Sequence, residues 1–145
     1  MKKTVLYVGL HGPVLVPALD DQDVFLGKKI APYAKPFLHW AKEHFDVRWL
    51  SETGARDAIY TANRLSLPAD AIPVAAFEDS KIEHMSPHED FYWVDGALIP
   101  SEAAWLAEHR FQDRLLQVDP YTGVTPAHKE QLQQKMMTRR RYTHG

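Results

Sequence analysis

The sequence predicts one α/β domain in which a single parallel sheet lies between layers of helices. Short, β-rich apolar runs alternate with segments of helical periodicity along the 145 residues,. Strands that alternate with helices pair in parallel through right-handed crossovers, which places helices on both faces of the sheet. A chain of this length forms one domain with one core. Loops at the carboxyl ends of the strands are then expected to form the binding crevice.

Two strands and two helices are predicted in the first half of the chain. The apolar run 4–10 breaks directly into a His-Gly-Pro loop, as a buried strand does at the edge of a sheet,. Apolar side chains recur at helical spacing over 33–45, which predicts the first helix,. Residues 47–50 are β-rich, and the polar cluster 51–54 ends this strand and starts a helix over 55–65,.

The second half continues the alternation. Residues 72–77 and 91–95 are β-rich and apolar, and a helical turn is predicted over 80–85 between them,. A serine followed by an apolar helical pattern predicts a capped helix over 101–111,. Residues 114–118 are predicted to be the fifth strand, which an Asp-Pro pair closes,.

The last helix is predicted to begin with Thr125 as N-cap and Pro126 at the first helical position,. One domain then covers 1–137, and 138–145 forms a basic C-terminal tail. This tail has two interpretations: its adjacent arginines contact nucleic-acid phosphates, or they are a solvated helix end where cations are favourable. The arginines are Arg139, Arg140 and Arg141.

Composition excludes several classes of site. The formal charge of −2 and the pI of about 6.4 give no overall attraction to nucleic acid or to anionic membranes,. The absence of cysteine excludes disulfides, thiolate zinc sites and a cysteine nucleophile,. A bound metal must therefore use oxygen or imidazole ligands. The chain is expected to be cytoplasmic, because the apolar run after Lys2 and Lys3 is too short for a secretory signal or a membrane span,.

Four motifs lie on the predicted strands and the loops that follow them: Val5–Gly12, Trp49–Gly54, Phe91–Gly96 and Val118–Thr125. In this order and on these elements they resemble the motifs of the haloacid dehalogenase-like (HAD-like) superfamily. The resemblance is to its small capless members, including those associated with bacterial RNA-repair proteins. It implies a three-layer, Rossmann-like domain with a parallel five-stranded sheet in the order 3-2-1-4-5 and helices on both faces.

The resemblance also implies a chemistry that the first motif does not supply. The family uses an aspartate nucleophile, a second carboxylate that moves protons, and Mg²⁺. Gly9 stands at the nucleophile position and cannot attack phosphorus. His11 stands at the acid/base position, where an imidazole is still able to move a proton,.

The other motifs keep residues that the family uses to bind phosphate and metal. Ser51 matches the hydroxyl that binds the phosphoryl group, and Glu52 beside it is a further ligand-binding candidate. Lys81 is the candidate for the lysine that offsets phosphate charge, and Asp95 matches a metal-holding acid. One carboxylate is a poor site for Mg²⁺, which prefers several oxygen ligands. A weak Mg²⁺ site is therefore the one cofactor that the resemblance implies.

These residues lead to a hypothesis of a degenerate HAD-like domain without phosphatase activity, which binds a small ligand or a protein partner through the old active-site crevice. The hypothesis requires the first strand to be central and no other acid to lie in the space facing Gly9. One alternative is a phosphohydrolase that uses a metal-bound water, with His11 and Asp95 central. Another is a nucleic-acid-associated regulator that uses the basic tail.

Structural interpretations and a different metal site also stay open. In the structural interpretation, Gly9 lets a neighbouring group approach closely, His11 makes a loop hydrogen bond, and Asp95 forms a turn or a helix cap. Alternatively, His84 and His88 converge with His11 near Asp95 and bind a transition metal,.

Overall fold

The central sheet has five parallel strands, and their order confirms the predicted 3-2-1-4-5 topology. The computed structural model describes residues 3–18, 28–51, 55–68 and 70–144. The strands of this sheet are β1 (Val5–Gly9), β4 (Asp46–Ser51), β5 (Val74–Ala76), β6 (Phe91–Asp95) and β7 (Leu115–Gln117). Their order is β5-β4-β1-β6-β7, which is the predicted order once β2 and β3, which form a separate hairpin, are left out of the numbering. Strand β1 therefore lies at the centre, between β4 and β6.

The helices follow the predicted alternation with small shifts of their ends. One predicted helix, 101–111, instead begins at Pro100 and ends at Glu108, because Arg110 adopts a left-handed φ of 58° that breaks it,. No helix in the described ranges has the length and apolar character needed to cross a membrane. The helices are α1 (Ala34–His44), α2 (Ala55–Arg64), α3 (Pro100–Glu108) and α4 (Pro126–His144), with 3-10 helices at Lys81–His84 and Gln112–Arg114.

Alternating side chains of the central strands divide the core between the two faces of the sheet. On one face, Leu6 and Val8 belong to the cluster that contains residues of α1, α2 and α4. On the other face, Val5 and Tyr7 pack in the cluster that contains Leu106 of α3. The two-residue period of a strand explains this division. The sheet is therefore buried on both sides, as expected of parallel strands.

A short antiparallel hairpin follows β1 and was not predicted. It pairs β2 (Leu15–Pro17) with β3 (Lys28–Ile30). A backbone hydrogen bond from Ala31 N to Val14 O at 2.7 Å extends the pairing of the two strands, and one from Val124 N to Pro13 O at 2.9 Å attaches the hairpin to the segment before α4. The hairpin thereby places Pro17 and Lys28 beside the carboxyl edge of the sheet.

The amino edge of the sheet carries a hydrogen-bonded tyrosine. The Tyr7 hydroxyl donates to a Glu89 carboxylate oxygen at 2.5 Å, and it lies 3.0 Å from the His84 carbonyl oxygen. Burial, and then the Glu89 carboxylate, raises the pKa of Tyr7 above its ordinary value of 10.0,. The protonated hydroxyl is therefore favoured by folding, and this stabilisation is lost as the pH rises above the pKa of the unfolded chain.

We expect the free energy of unfolding of the wild type to fall more steeply above pH 10.0 than that of Tyr7→Phe,. Urea unfolding at pH 8 and at about pH 10.5 measures the difference. Tyr121→Phe is the matched control, since Tyr121 is 72% exposed. Equal alkaline losses in the wild type and in Tyr7→Phe would contradict this assignment.

Candidate functional site

The carboxyl edge of the sheet brings together five of the predicted site residues: Gly9, His11, Ser51, Lys81 and Asp95. Two cavities, together called the crevice below, share His11 and Lys81 in their walls. The smaller has a volume of about 50 Å³ and also contacts Gly9 and Ser51. The larger has a volume of about 230 Å³ and also contacts Asp95. Glu52 lies outside the described residues.

Asp95 ends β6 and is 1% exposed. Its Oδ2 atom lies 2.8 Å from Lys81 Nζ and accepts a hydrogen bond from Trp93 Nε1 at 2.9 Å. Its Oδ1 atom accepts from the backbone N–H of Gly96 at 2.7 Å. Both carboxylate oxygens therefore have partners within the protein, and one ammonium group balances the charge.

Gly9 faces this carboxylate directly. A Cβ atom at residue 9 would lie 2.7 Å from each Asp95 carboxylate oxygen, closer than van der Waals contact allows. The first strand is central, as the degenerate-domain hypothesis requires. The second requirement is not met, because the Asp95 carboxylate occupies the space in front of Gly9. Any functional interpretation must therefore account for Asp95 in this space.

His11 lies beside a buried carboxylate that was not predicted from the sequence. Its Nε2 atom lies 3.5 Å from Oδ2 of Asp57, a buried residue in the first turn of α2. The His11 side chain is 36% exposed, so part of its ring remains accessible. An acidic residue in a first helical turn is favourable on its own, which is why Asp57 gave no functional signal in the sequence.

Lys81 is held in place through the 3-10 helix that it begins. The buried Glu102 carboxylate of α3 accepts hydrogen bonds from the backbone N–H of Lys81 at 2.8 Å and from the Ser80 hydroxyl at 3.1 Å. The Lys81 ammonium also donates to Ala97 O at 3.3 Å. The Glu102 carboxylate therefore links α3 to the first residues of the 3-10 helix that carries Lys81.

Ser51 is buried at the end of β4 and lines the smaller cavity. Its backbone oxygen accepts from the N–H of Phe77 at 3.3 Å. This contact extends the pairing of β4 with β5 and fixes the Ser51 backbone at the sheet edge. Ser51 therefore lies in the same cavity wall as Gly9 and Lys81.

The described residues do not fit a Mg²⁺ ion. They contain no group of three or more histidine, aspartate or glutamate side chains that could hold a metal. Asp95, the candidate ligand, already accepts hydrogen bonds or an ion pair at both oxygens. Mg²⁺ requires several oxygen ligands in near-octahedral geometry. No chemical step is therefore assigned to a metal in this crevice.

The histidine cluster of the transition-metal hypothesis does not form. The ring of His84 hydrogen-bonds to Ala76 O. His88 lines a cavity of about 460 Å³ with Val5 and Asp90, near the amino ends of β1 and β6. His11 lies beyond the carboxyl end of β1, so the hypothesis of convergence was wrong: proline and loop residues place His88 at the opposite edge of the sheet.

The basic segment at the end of the chain also lies away from the crevice where it is described. The backbone of α4 continues through 144. Arg139 forms an ion pair with Asp90, and its guanidinium lies 5.0 Å from the ring centroid of Tyr92. The side chains of Arg140 and Arg141 are outside the described set.

No protein-family model matches this chain, and neither does any curated protein. Among solved structures, it is similar to the RNA polymerase II CTD phosphatase Fcp1 of fission yeast, in a structure bound to beryllium fluoride. The TM-score is 0.50 with 14% sequence identity, over 94% of this chain and 50% of the other. The chain thus spans half the length of that structure. The likeness confirms the predicted fold, an α/β domain of HAD-like, Rossmann type, and at this identity it shows the fold alone.

Proposed function

We propose that this HAD-like domain does not catalyse Mg²⁺-dependent phosphate transfer, and that it binds a ligand or a protein partner through its crevice. An acid in front of Gly9 counts against the proposal by itself, so one observation has to carry it: this acid, Asp95, is buried and paired with Lys81 at 2.8 Å. This arrangement places a balanced, buried charge pair where the family's chemistry needs an accessible nucleophile.

The hydrogen bonds of Asp95 support an inactive carboxylate. A nucleophilic oxygen must present a free lone pair to the substrate within about 3–3.5 Å and in line with the bond that breaks. Here Oδ2 has two donor groups and Oδ1 has one, and the side chain is 1% exposed. One lone pair of Oδ1 has no donor among the described residues, so attack would have to come from that oxygen, on a side chain that is 1% exposed,.

The position of Asp95 nevertheless favours a second candidate function. Because its carboxylate lies in front of Gly9, Asp95 is the one described acid placed to replace the missing nucleophile. Lys81, at 2.8 Å, would then offset the charge of a bound phosphoryl group. This candidate predicts phosphatase activity that depends on Asp95, and a turnover assay distinguishes it from the binding function.

We expect purified protein to release no p-nitrophenol from p-nitrophenyl phosphate with Mg²⁺ beyond the rate of an Asp95→Asn variant. The physical reason is that both Asp95 oxygens already accept hydrogen bonds, and that the described residues contain no group of side chains that could hold a metal ion. Release is followed by absorbance, and circular dichroism confirms that the variant is folded.

Each other outcome of this assay identifies a different mechanism. Turnover that Asp95→Asn abolishes and His11→Gln retains would reject the proposal and show that the reaction needs the Asp95 carboxylate. Turnover that requires added metal and is lost in His11→Gln would instead support the metal-bound-water mechanism. The nucleic-acid alternative has less support, because Arg139 is engaged with Asp90 and Tyr92 at the other edge of the sheet.

A further inference from the structure

We propose that β5, a strand at one edge of the sheet, binds a short basic segment of a partner protein as an additional strand. The surface consists of Val74 and Ala76, which line neither cavity of the crevice. The inference therefore goes beyond the proposed function and does not depend on it. Strand addition gains affinity from backbone hydrogen bonds, and the side chains beside the edge determine which segments bind.

The backbone of β5 directs the groups of alternate residues toward its open side. In the sheet, β5 pairs with β4 alone and lies at the end of the strand order. Pro73 O accepts a hydrogen bond from Trp49 N at 2.9 Å, so residue 73 directs its backbone groups toward β4. Successive residues of a strand direct these groups to opposite sides. Those of Val74 and Ala76 therefore point away from β4.

Most of these outward groups have no hydrogen bond. The Ala76 carbonyl oxygen is bonded to the ring of His84. The N–H groups of Val74 and Ala76 and the carbonyl oxygen of Val74 have no such partner within the part of the chain that the structure describes. Val74 is half-buried and Ala76 is exposed, so another chain can reach this side. A row of unpaired backbone groups at a sheet edge is a template for a further strand.

Most devices that protect an edge strand from pairing are absent from β5 itself. Its sequence, Val-Ala-Ala, has no charged side chain and no proline,. Pro73, directly before it, lacks an N–H on the side that faces β4, so it leaves the open side unchanged,. The remaining protection is the length of three residues, which limits the added segment to a short one.

The charges at the carboxyl end of β5 favour a basic segment. Glu78 and Asp79 follow the strand and are exposed. Glu83 lies on the next 3-10 helix, and its carboxylate accepts a hydrogen bond from the Asp79 N–H at 2.9 Å. The lysine of this helix, Lys81, is paired with Asp95 at 2.8 Å. The acids after β5 therefore have no ion pair with a lysine or arginine among the described residues.

The amino end of β5 is closer to neutral. Asp70 lies before this end, and Lys42 Nζ donates to Ala71 O at 3.1 Å, which brings one ammonium group to the same region. The internal residues that the structure does not describe include acids but no lysine or arginine, so they cannot offset the negative charge at the carboxyl end. A segment that pairs with β5 is therefore expected to carry lysine or arginine beside Glu78 and Asp79.

The peptide acetyl-Lys-Val-Lys-Val-Lys-Val-Lys-amide is the probe for this surface, because it is basic and valine favours strands. Titration of isotope-labelled protein, followed by amide chemical shifts in NMR spectra, is expected to show saturable shifts along β5. The N–H groups of Val74 and Ala76 are expected to exchange with solvent at least about fivefold more slowly in the complex, because they then donate hydrogen bonds. A peptide with α-aminoisobutyrate in place of valine keeps the charge but disfavours an extended backbone, so it should bind more weakly.

The substitution Ala76→Pro removes an outward N–H that has no described partner in the free protein. It is expected to weaken binding of the valine peptide at least about fivefold, through the lost hydrogen bond and the proline ring at the edge. The matched control is Ala76→Thr, which keeps the N–H on a residue type that strands favour. It should leave binding unchanged. Circular dichroism confirms that both variants are folded.

A double variant, Glu78→Gln with Asp79→Asn, tests the selection by charge. It is expected to weaken binding about threefold, as the loss of two exposed charge contacts does, and to make binding less sensitive to salt. The matched control is Glu108→Gln with Glu130→Gln, which removes two exposed carboxylates from α3 and α4. This control should leave binding unchanged.

Each of the following results would overturn the inference: no saturable shifts along β5, equal binding of the aminoisobutyrate peptide, equal effects of proline and threonine at residue 76, or equal effects of the two double variants. A dimer of the peptide-free protein that Ala76→Pro dissociates would also overturn it, by identifying a second copy as the occupant. If Ala76→Pro does not fold, the slower exchange of the Val74 and Ala76 N–H groups in the wild type decides in its place. None of these measurements involves turnover, so failure of the proposed function appears separately, in the p-nitrophenyl phosphate assay.

Discussion

Replacing Gly9 with alanine is expected to destabilise the domain by about 2–3 kcal/mol, the cost of overpacking a well-packed site. The added Cβ would lie 2.7 Å from both oxygens of Asp95. Asp95 has little freedom to withdraw, because Lys81, Trp93 and the Gly96 N–H hold its carboxylate. Gly9 also cannot withdraw, since β1 pairs with strands on both sides. Urea unfolding measures the loss.

A double-mutant cycle shows whether Asp95 is the cause. In an Asp95→Ala background the same Gly9→Ala substitution is expected to cost less than about 1 kcal/mol, so the two changes are strongly non-additive. An equal cost in both backgrounds would show that the destabilisation arises elsewhere. Gly9→Asp meets the same obstacle, because its Cβ atom would lie equally close to the Asp95 carboxylate, and it is expected to gain no phosphatase activity.

Replacing Lys81 with methionine is expected to have the second large effect, a loss of about 3 kcal/mol. Removing one partner of a buried ion pair leaves the other charge uncompensated, and such losses are about 3–5 kcal/mol. We expect the lower end, because the Lys81 side chain is 19% exposed while that of Asp95 is 1% exposed. Methionine keeps much of the apolar side chain of lysine. The loss of free energy of unfolding therefore measures mainly the removal of the Lys81 charge from its pair with Asp95.

Adding Asp95→Asn to Lys81→Met should restore a large part of the lost stability, because the uncompensated charge is then removed. Lys3→Met is the matched control: Lys3 is exposed, and among the residues that the structure describes its ammonium donates only to the Lys42 carbonyl oxygen, at 3.3 Å. Its cost should be near zero, as for most surface substitutions. If Lys3→Met and Lys81→Met cost the same, the pair with Asp95 does not stabilise the fold. Urea unfolding gives all of these values.

The sequence predicted most of the parallel sheet because its central strands are buried on both faces. Continuous apolar runs such as Val5–Gly9 and Phe91–Asp95 are typical of such strands,. The hairpin gave no such signal. Lys28–Ile30 is a three-residue strand with two lysines, and its partner Leu15–Pro17 lies across an intervening segment. Short strands whose stability comes from tertiary contacts do not have a distinct local pattern.

The candidate site was predictable as a set of positions but not as a set of contacts. Strand ends identified Gly9, Ser51 and Asp95 as neighbours at one edge, and the structure places them there. The direction of the Asp95 carboxylate depends on a tryptophan two residues earlier and on Lys81, which is distant in sequence. Asp57, in the first turn of α2, was not predicted because it contacts His11, a loop residue that is distant in the sequence.

The close approach of Asp95 to Gly9 makes the two positions interdependent in any redesign of the crevice. Introducing an aspartate at residue 9 and removing the acid at residue 95 are each unfavourable alone: the first meets a steric clash, and the second leaves the Lys81 ammonium without its counter-ion. A variant that carries both changes is therefore reached only through a less stable single substitution, whichever position is changed first.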